Sequence, residues 1–313
     1  MTDITLKKRF NYSSNLYRFL CQYPEKDLYY NQHNPILEHP ADALRKSLNN
    51  CYNALKKLSD IDKENSDDCK ECIKNVFNHL DSFYDITFEI LKSFYNPNGK
   101  TVNKDNKVWL KENKIHCVNK YTSSVDTYSN FVADINNLTK HNTWNFIPFK
   151  LSYNNNSNIY SFYFGTNLHD NAIGPNQTIH KKWKGFQTGF SYNFIIRKLI
   201  AQIFLYQEKL YVCLKSDFSS FRMKDNDVND GGVNKKLFEL AFNTPIIFLP
   251  NEYELTSGKL TKLNDNYFIQ FPRNYLDVSP KIQNWSVNCN LQSNPRTNMM
   301  KGVLPYFQNI KPR

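Results

Sequence analysis

The run CKECIKNVFNHLDSFYDITFEILKSFYNPNG, residues 69–99, decides the fold class. Cys69, Ile73, Val76, Phe77, Leu80, Phe83, Tyr84, Phe88, Leu91 and Phe94 recur at helical spacing, so they line one stripe of an α-helix. Asn96-Pro97-Asn98-Gly99 ends that helix with residues that favour turns. A stripe this long is stable only when neighbouring elements cover it.

The neighbours are legible on both sides. Upstream, Ala43, Leu44, Leu48, Cys51, Tyr52, Leu55 and Leu58 form a second stripe that starts just after Pro40. A charged connector over 60–68 follows, with Ser66 placed to cap the next helix. Downstream, one antiparallel helix is expected from about Lys104 to about Asn142, with Tyr121, Val125, Tyr128, Val132, Ile135 and Leu138 on its apolar side. Phe186 to Lys215 is helical and apolar on more than one side, which predicts a central position. Lys235 to Phe242 reads as one short helix.

Elsewhere the period is two. Phe146–Phe149 and Ile159–Phe164 flank the turn-prone Asn154-Asn155-Asn156-Ser157-Asn158 and predict a β-hairpin. Pro245–Leu249 and Tyr267–Phe271 read as further strands linked through a turn at Gly258, and Trp285 and Phe307 as isolated anchors in a polar tail. The resulting fold class is mainly α with a smaller β part (α+β). Residues 1–40 form an N-terminal arm or short elements packed on the body. Residues 41–215 form a long antiparallel bundle with a hairpin inserted near 145–165, and 216–313 a β-containing accessory region.

Composition bounds the function. The 313 residues are 40% hydrophobic and 15% aromatic, enough apolar surface for a packed core. Lysine outnumbers arginine 32 to 8 and asparagine reaches 43, the bias of an AT-rich coding sequence. The net charge of +11 nevertheless attracts polyanions whatever its origin. No apolar run is long enough to span a membrane, and Met1 to Tyr12 carries no apolar signal core. Seven cysteines at irregular spacing do not form a disulfide framework, so free thiols and a cytoplasmic location are expected.

Several chemistries find no motif. Cys69 and Cys72 have zinc-like spacing without a second pair, and two small apolar helix residues explain them better. Asp225 to Gly231 lacks the glycine and closing glutamate of a calcium loop. No glycine-rich phosphate loop, serine elbow or His-Glu-x-x-His pair occurs. Neither metal nor cofactor is therefore expected.

Two stretches carry candidate chemistry. Lys181, Lys182, Trp183 and Lys184 mix cations with an aromatic ring, the combination on which phosphates and unstacked bases rest. The alternative is a lysine-rich helix approach anchored by Trp183. Asn136-Asn137-Leu138-Thr139-Lys140-His141 closes a helix, where the macrodipole favours a protonated ring. His141 beside Lys140 and Asn137 has the chemistry to bind and protonate a phosphodiester oxygen. The alternative is a helix-end cap.

Long antiparallel helices, a short polar motif ending in His141 and a further long helix together resemble HEPN domains over roughly residues 41–215. The resemblance implies a helical bundle that forms homodimers and, in many members, a metal-independent ribonuclease of prokaryotic defence or toxin–antitoxin systems. The family motif is an arginine, then four to six residues, then the histidine. Here no arginine occurs between Arg45 and Arg197, and asparagine at position 136 cannot supply the missing charge. The expectation is therefore a module that binds RNA, another polyanion or a protein partner without catalysis. The alternative is a ribonuclease with His141 as general acid or base and Lys140 and Asn137 orienting phosphate.

Overall fold

The computed structural model describes residues 2–6, 13–98, 105–140, 145–153, 157–167, 173–226, 228–264, 266–279, 285–288 and 303–306. The first strand, β1 (Thr2–Leu6), and first helix, α1 (Asn15–Gln22), lie within the 1–40 segment. Ser14 caps α1 by accepting from the Tyr17 N–H, and Leu16, Tyr17, Phe19 and Leu20 are buried. This segment is thus built into the body.

Helices α2 (Pro40–Asp60) and α3 (Ser66–Lys92) follow the two stripes read from the sequence. The cap of α3 is Asn65 rather than Ser66, its side chain accepting from the Asp68 N–H at 3.3 Å. The single helix expected over 104–142 is two, α4 (Asn106–Glu112) and α5 (His116–Lys140). Between them Lys114 takes a left-handed φ of 56°. Ile115 N–H donates to Leu110 O and Lys114 N–H to Lys111 O, both at 3.0 Å, and Ile115 is buried. Those paired bonds are a Schellman ending, with lysine where glycine is usual.

The β-hairpin is present and longer than expected, as β2 (Asn145–Tyr153) and β3 (Ser157–Asn167). Short strands β4 (Ile173–Pro175) and β5 (Phe190–Ser191) pair with β3. Helix α6 (Tyr192–Asp217) begins six residues later than its apolar pattern, because Phe190 and Ser191 are used in the sheet. After α7 (Val233–Asn243) the expected strand at 245–249 is absent. Side chains take its ladder donors instead: Phe248 N–H donates to the Tyr253 hydroxyl and Leu249 N–H to Glu252.

Strands β6 (Ser257–Leu263) and β7 (Asn266–Arg273) complete a three-stranded antiparallel sheet in the order β1-β7-β6. Gly258 lies within β6, at a register irregularity, and not in a turn. Its place is set by close approach, since a Cβ there would sit 2.5 Å from that of Ala201 on α6. Strand β8 (Trp285–Asn288) pairs with β2, so the second sheet runs β4-β3-β2-β8. Phe307 lies outside the described residues.

Helix α6 is the centre, contacted by α1, α2, α3, α5, α7 and strands of both sheets. Helices α3 and α5 are antiparallel, in contact from Asp81–Lys140 at one end to Phe88–Tyr121 at the other. No helix among the described residues is long and apolar enough to cross a membrane. The six described cysteines are all free, five of them buried, and Cys289 lies outside the described residues.

The Schellman ending at Lys114 yields a direct test. A lysine in the left-handed region costs roughly 1–2 kcal/mol that glycine does not. Lys114→Gly is expected to stabilise the protein by about 1 kcal/mol, measured as a higher urea midpoint.

Candidate functional site

The last turn of α5 docks on α3 through one carboxylate. Asn136, 1% exposed, donates its side-chain amide to Asp81, and the Lys140 ammonium lies 3.4 Å from the same carboxylate. The buried amide is therefore Asn136, while Asn137 is exposed. Lys140 remains 55% exposed, so its ion pair with Asp81 contributes under about 1 kcal/mol. His141 lies outside the described residues. Of the three candidate catalytic residues, the structure places Lys140 and Asn137 and brings only Lys140 to a partner.

The 181–184 stretch forms a tight hairpin turn rather than the approach to a helix. Trp183 and Phe186 exchange both backbone hydrogen bonds at 2.9 Å, and Lys184 and Gly185 between them both have positive φ, 49° and 85°. Two such residues are what a two-residue primed turn requires. Glu254 holds the turn down, accepting from the Trp183 indole at 2.8 Å and from Lys184 at 3.2 Å. Those two donors keep the Glu254 carboxyl below its usual range. Lys181 and Lys182 remain exposed. Adjacent His180 is buried between Phe164 and Phe190, and its Nε2 accepts from the Phe164 N–H at 2.9 Å. Burial pushes its pKa down to about 3, so the ring is a neutral core group.

A built cavity lies elsewhere, between α2, α6 and α7. It encloses about 380 Å³. Helix α2 presents Tyr52, Lys56 and Ser59 at intervals of four and three, on one side of the helix. Helix α7 presents Lys236, Glu239 and Asn243, and α6 contributes Asn193 and Ile196. Lys63, from the connection between α2 and α3, also lines it. A shallower depression of about 470 Å³, lined by Asn53, Lys56, Lys57, Asp60 and Ile61, shares Lys56 with the cavity.

The electrostatics of this cleft follow from how each cation is held. Lys63 donates to the carbonyls of Leu58, Ser59 and Ile61 at 2.6, 3.1 and 2.7 Å, capping the C-terminal end of α2. Burial lowers its pKa, and it makes no ion pair among the described residues. Lys56 pairs with Asp60 at 2.6 Å. Lys236 is exposed, and its ammonium sits 5.9 Å from the centre of the Tyr52 ring. Among the described residues Glu239 is the only carboxylate lining the cavity, and it is engaged by Lys235 at 3.7 Å. The balance is cationic, with an aromatic wall and amides alongside. Among the described residues no histidine or cysteine lines it.

Comparison of the chain with protein-family models, with curated proteins and with solved structures finds no match. The sequence reading missed Tyr52 and Lys236 as a pair. Tyr52 was assigned to the apolar stripe of its helix, and Lys236 stands 184 residues downstream. The available signal was the second stripe of α2, where Tyr52, Lys56 and Ser59 are spaced four and three, with Lys63 following just past the helix end.

A strongly perturbed buried carboxylate, Glu252, lies at the foot of α6. Glu252 is fully buried and accepts from the Ser191 N–H, the Ser191 hydroxyl and the Leu249 N–H at 2.8, 2.6 and 2.7 Å. Ser191 in turn accepts from the Phe194 N–H and caps α6. Burial pushes Glu252 up to about 8 despite those donors. It lines neither of the two cavities described above, and its hydrogen bonds hold the start of α6 against the Pro250–Tyr253 turn. Among the described residues no group of three His, Cys, Asp or Glu side chains is placed to hold a metal ion.

Glu252 sets a pH dependence whose sign is determined. Its folded pKa exceeds its ordinary 4.5, so the stability given by the neutral acid is full below that value and lost as pH rises through about 8. His180 titrates between about 3 and 6.5, and Lys198, lowered by burial, between about 8 and 10.5. Over pH 6.5–8, the stability of the native protein to urea is expected to fall, and Glu252→Gln is expected to flatten that slope. An unchanged slope in the variant would assign the fall to another group.

Proposed function

We propose that the chain is an HEPN-like helical module that binds RNA, or another polyanion of the same charge character, through the cleft between α2 and α7 without cleaving it. The observation that carries this reading is Lys63. Its ammonium is fixed by three carbonyls at the cavity wall and has no ion-pair partner among the described residues. Those carbonyls use its three N–H donors and offset part of its charge, so it acts on an anion through its field in the partly desolvated cleft, beside the exposed ammonium of Lys236.

The net charge of +11 supports the same reading at longer range, because it raises the encounter rate with any polyanion. Binding without catalysis is supported by two features. Among the described residues no histidine that could move a proton lines the cleft, and the Lys140 ammonium beside position 141 lies 3.4 Å from Asp81. The antiparallel packing of α3 and α5, followed by α6, supports the helical layout that the family resemblance implies.

Fluorescence anisotropy with an end-labelled RNA tests the proposal. Affinity is expected to fall steeply with salt, and Lys236→Ala is expected to reduce the slope of log affinity against log salt by about one. The RNA should remain intact on a denaturing gel after incubation. Absence of binding at about 50 mM salt would sink the proposal. Fragments that disappear with His141→Ala would replace it with the ribonuclease reading.

A further inference from the structure

The cleft contains more than charge. Resting on the binding function proposed above, we infer that it takes single-stranded RNA, one unstacked nucleotide entering the cavity, rather than the backbone of a duplex. The cavity is a half-open cleft between three helices, and its volume of about 380 Å³ is on the scale of small-ligand pockets. A duplex keeps its bases stacked and presents phosphates on a convex surface, so it reaches only the rim. A strand with splayed bases can place one inside.

Three features fit such a guest. Tyr52 is a partly buried aromatic wall; the Lys236 ammonium lies over its ring at 5.9 Å on an exposed side chain, which a stacking base would displace toward its own phosphate. Asn193 and Asn243 stand on other walls of the cavity. Their amides both donate and accept, which suits the edge of an unpaired base. The adjoining depression continues the track past Lys56 to Asn53 and Lys57, where the neighbouring nucleotide would lie. Lysines alone would hold heparin equally well; the tyrosine and the amides distinguish a base.

The test compares a labelled 12-nucleotide RNA of mixed sequence, the same strand annealed to its complement, and heparin as competitor. The wild-type protein is expected to prefer the single strand at matched salt. Tyr52→Leu should weaken single-strand binding about tenfold, by loss of one stacked base, without changing the salt slope. Tyr52→Phe, which keeps the ring, should restore it. Asn243→Ala, at an exposed position that leaves the core untouched, should weaken the single strand and not heparin. Equal affinity for duplex and single strand, or Tyr52→Leu and Asn243→Ala variants that bind RNA as well as wild type, would overturn the inference while the polyanion reading stands. Failure of RNA, duplex and heparin alike to bind would overturn both.

Discussion

Helix α6 has almost no solvent face, and the rest of the structure follows from covering it. Eighteen of its 26 residues are buried. Such a helix cannot lie on a surface, so every other layer is recruited to enclose it. The buried polar groups of α6 then set where its neighbours lie. Arg197 donates to the carbonyls of Ala241 and Thr244 at 2.6 and 2.8 Å, Gln207 to Asn234 at 3.0 Å, and Gln202 to the Tyr128 carbonyl at 2.7 Å. A buried donor left unmade costs about 1–3 kcal/mol, so these bonds select one register where apolar packing would tolerate several.

The cleft is a by-product of that arrangement. Arg197 and Gln207 hold the two ends of α7 on α6, and α7 also packs against α2. The C-terminal ends of α2 and α7 meet at the cavity, and each is capped by a cation, Lys63 for the first and Arg197 for the second. The caps stabilise carbonyls that have no helical partners, and one of them leaves its charge beside an open space. Lys63 thus serves the fold and lies in the proposed binding cleft.

Most of the fold was legible because long apolar periods report burial directly. The stripes of α2, α3 and α6 and the alternation of β2 and β3 needed no tertiary information. The misreadings have specific causes. Lys114 ends α4 by a left-handed turn with no glycine to mark it, so two helices looked like one. Phe248 and Leu249 are apolar and buried, yet Tyr253 and Glu252 take their backbone donors, which a strand assignment presupposes to be free for a ladder. Gly258 looked like a turn and is instead a point of close approach to Ala201. The binding site was least legible of all. Tyr52 and Lys236 belong to helices far apart in sequence, and nothing local in either segment announces their meeting.

The central claim is that the α2–α7 cleft, rather than the end of α5 or the 181–184 turn, is the surface that meets RNA. Photo-crosslinking of a uridine-rich single strand to the full-length protein, followed by peptide mass spectrometry, tests this most directly. The account predicts crosslinks on the peptides carrying Tyr52 and Lys236. Crosslinks confined to Lys181–Lys184 or to the segment beyond Lys140 would contradict it.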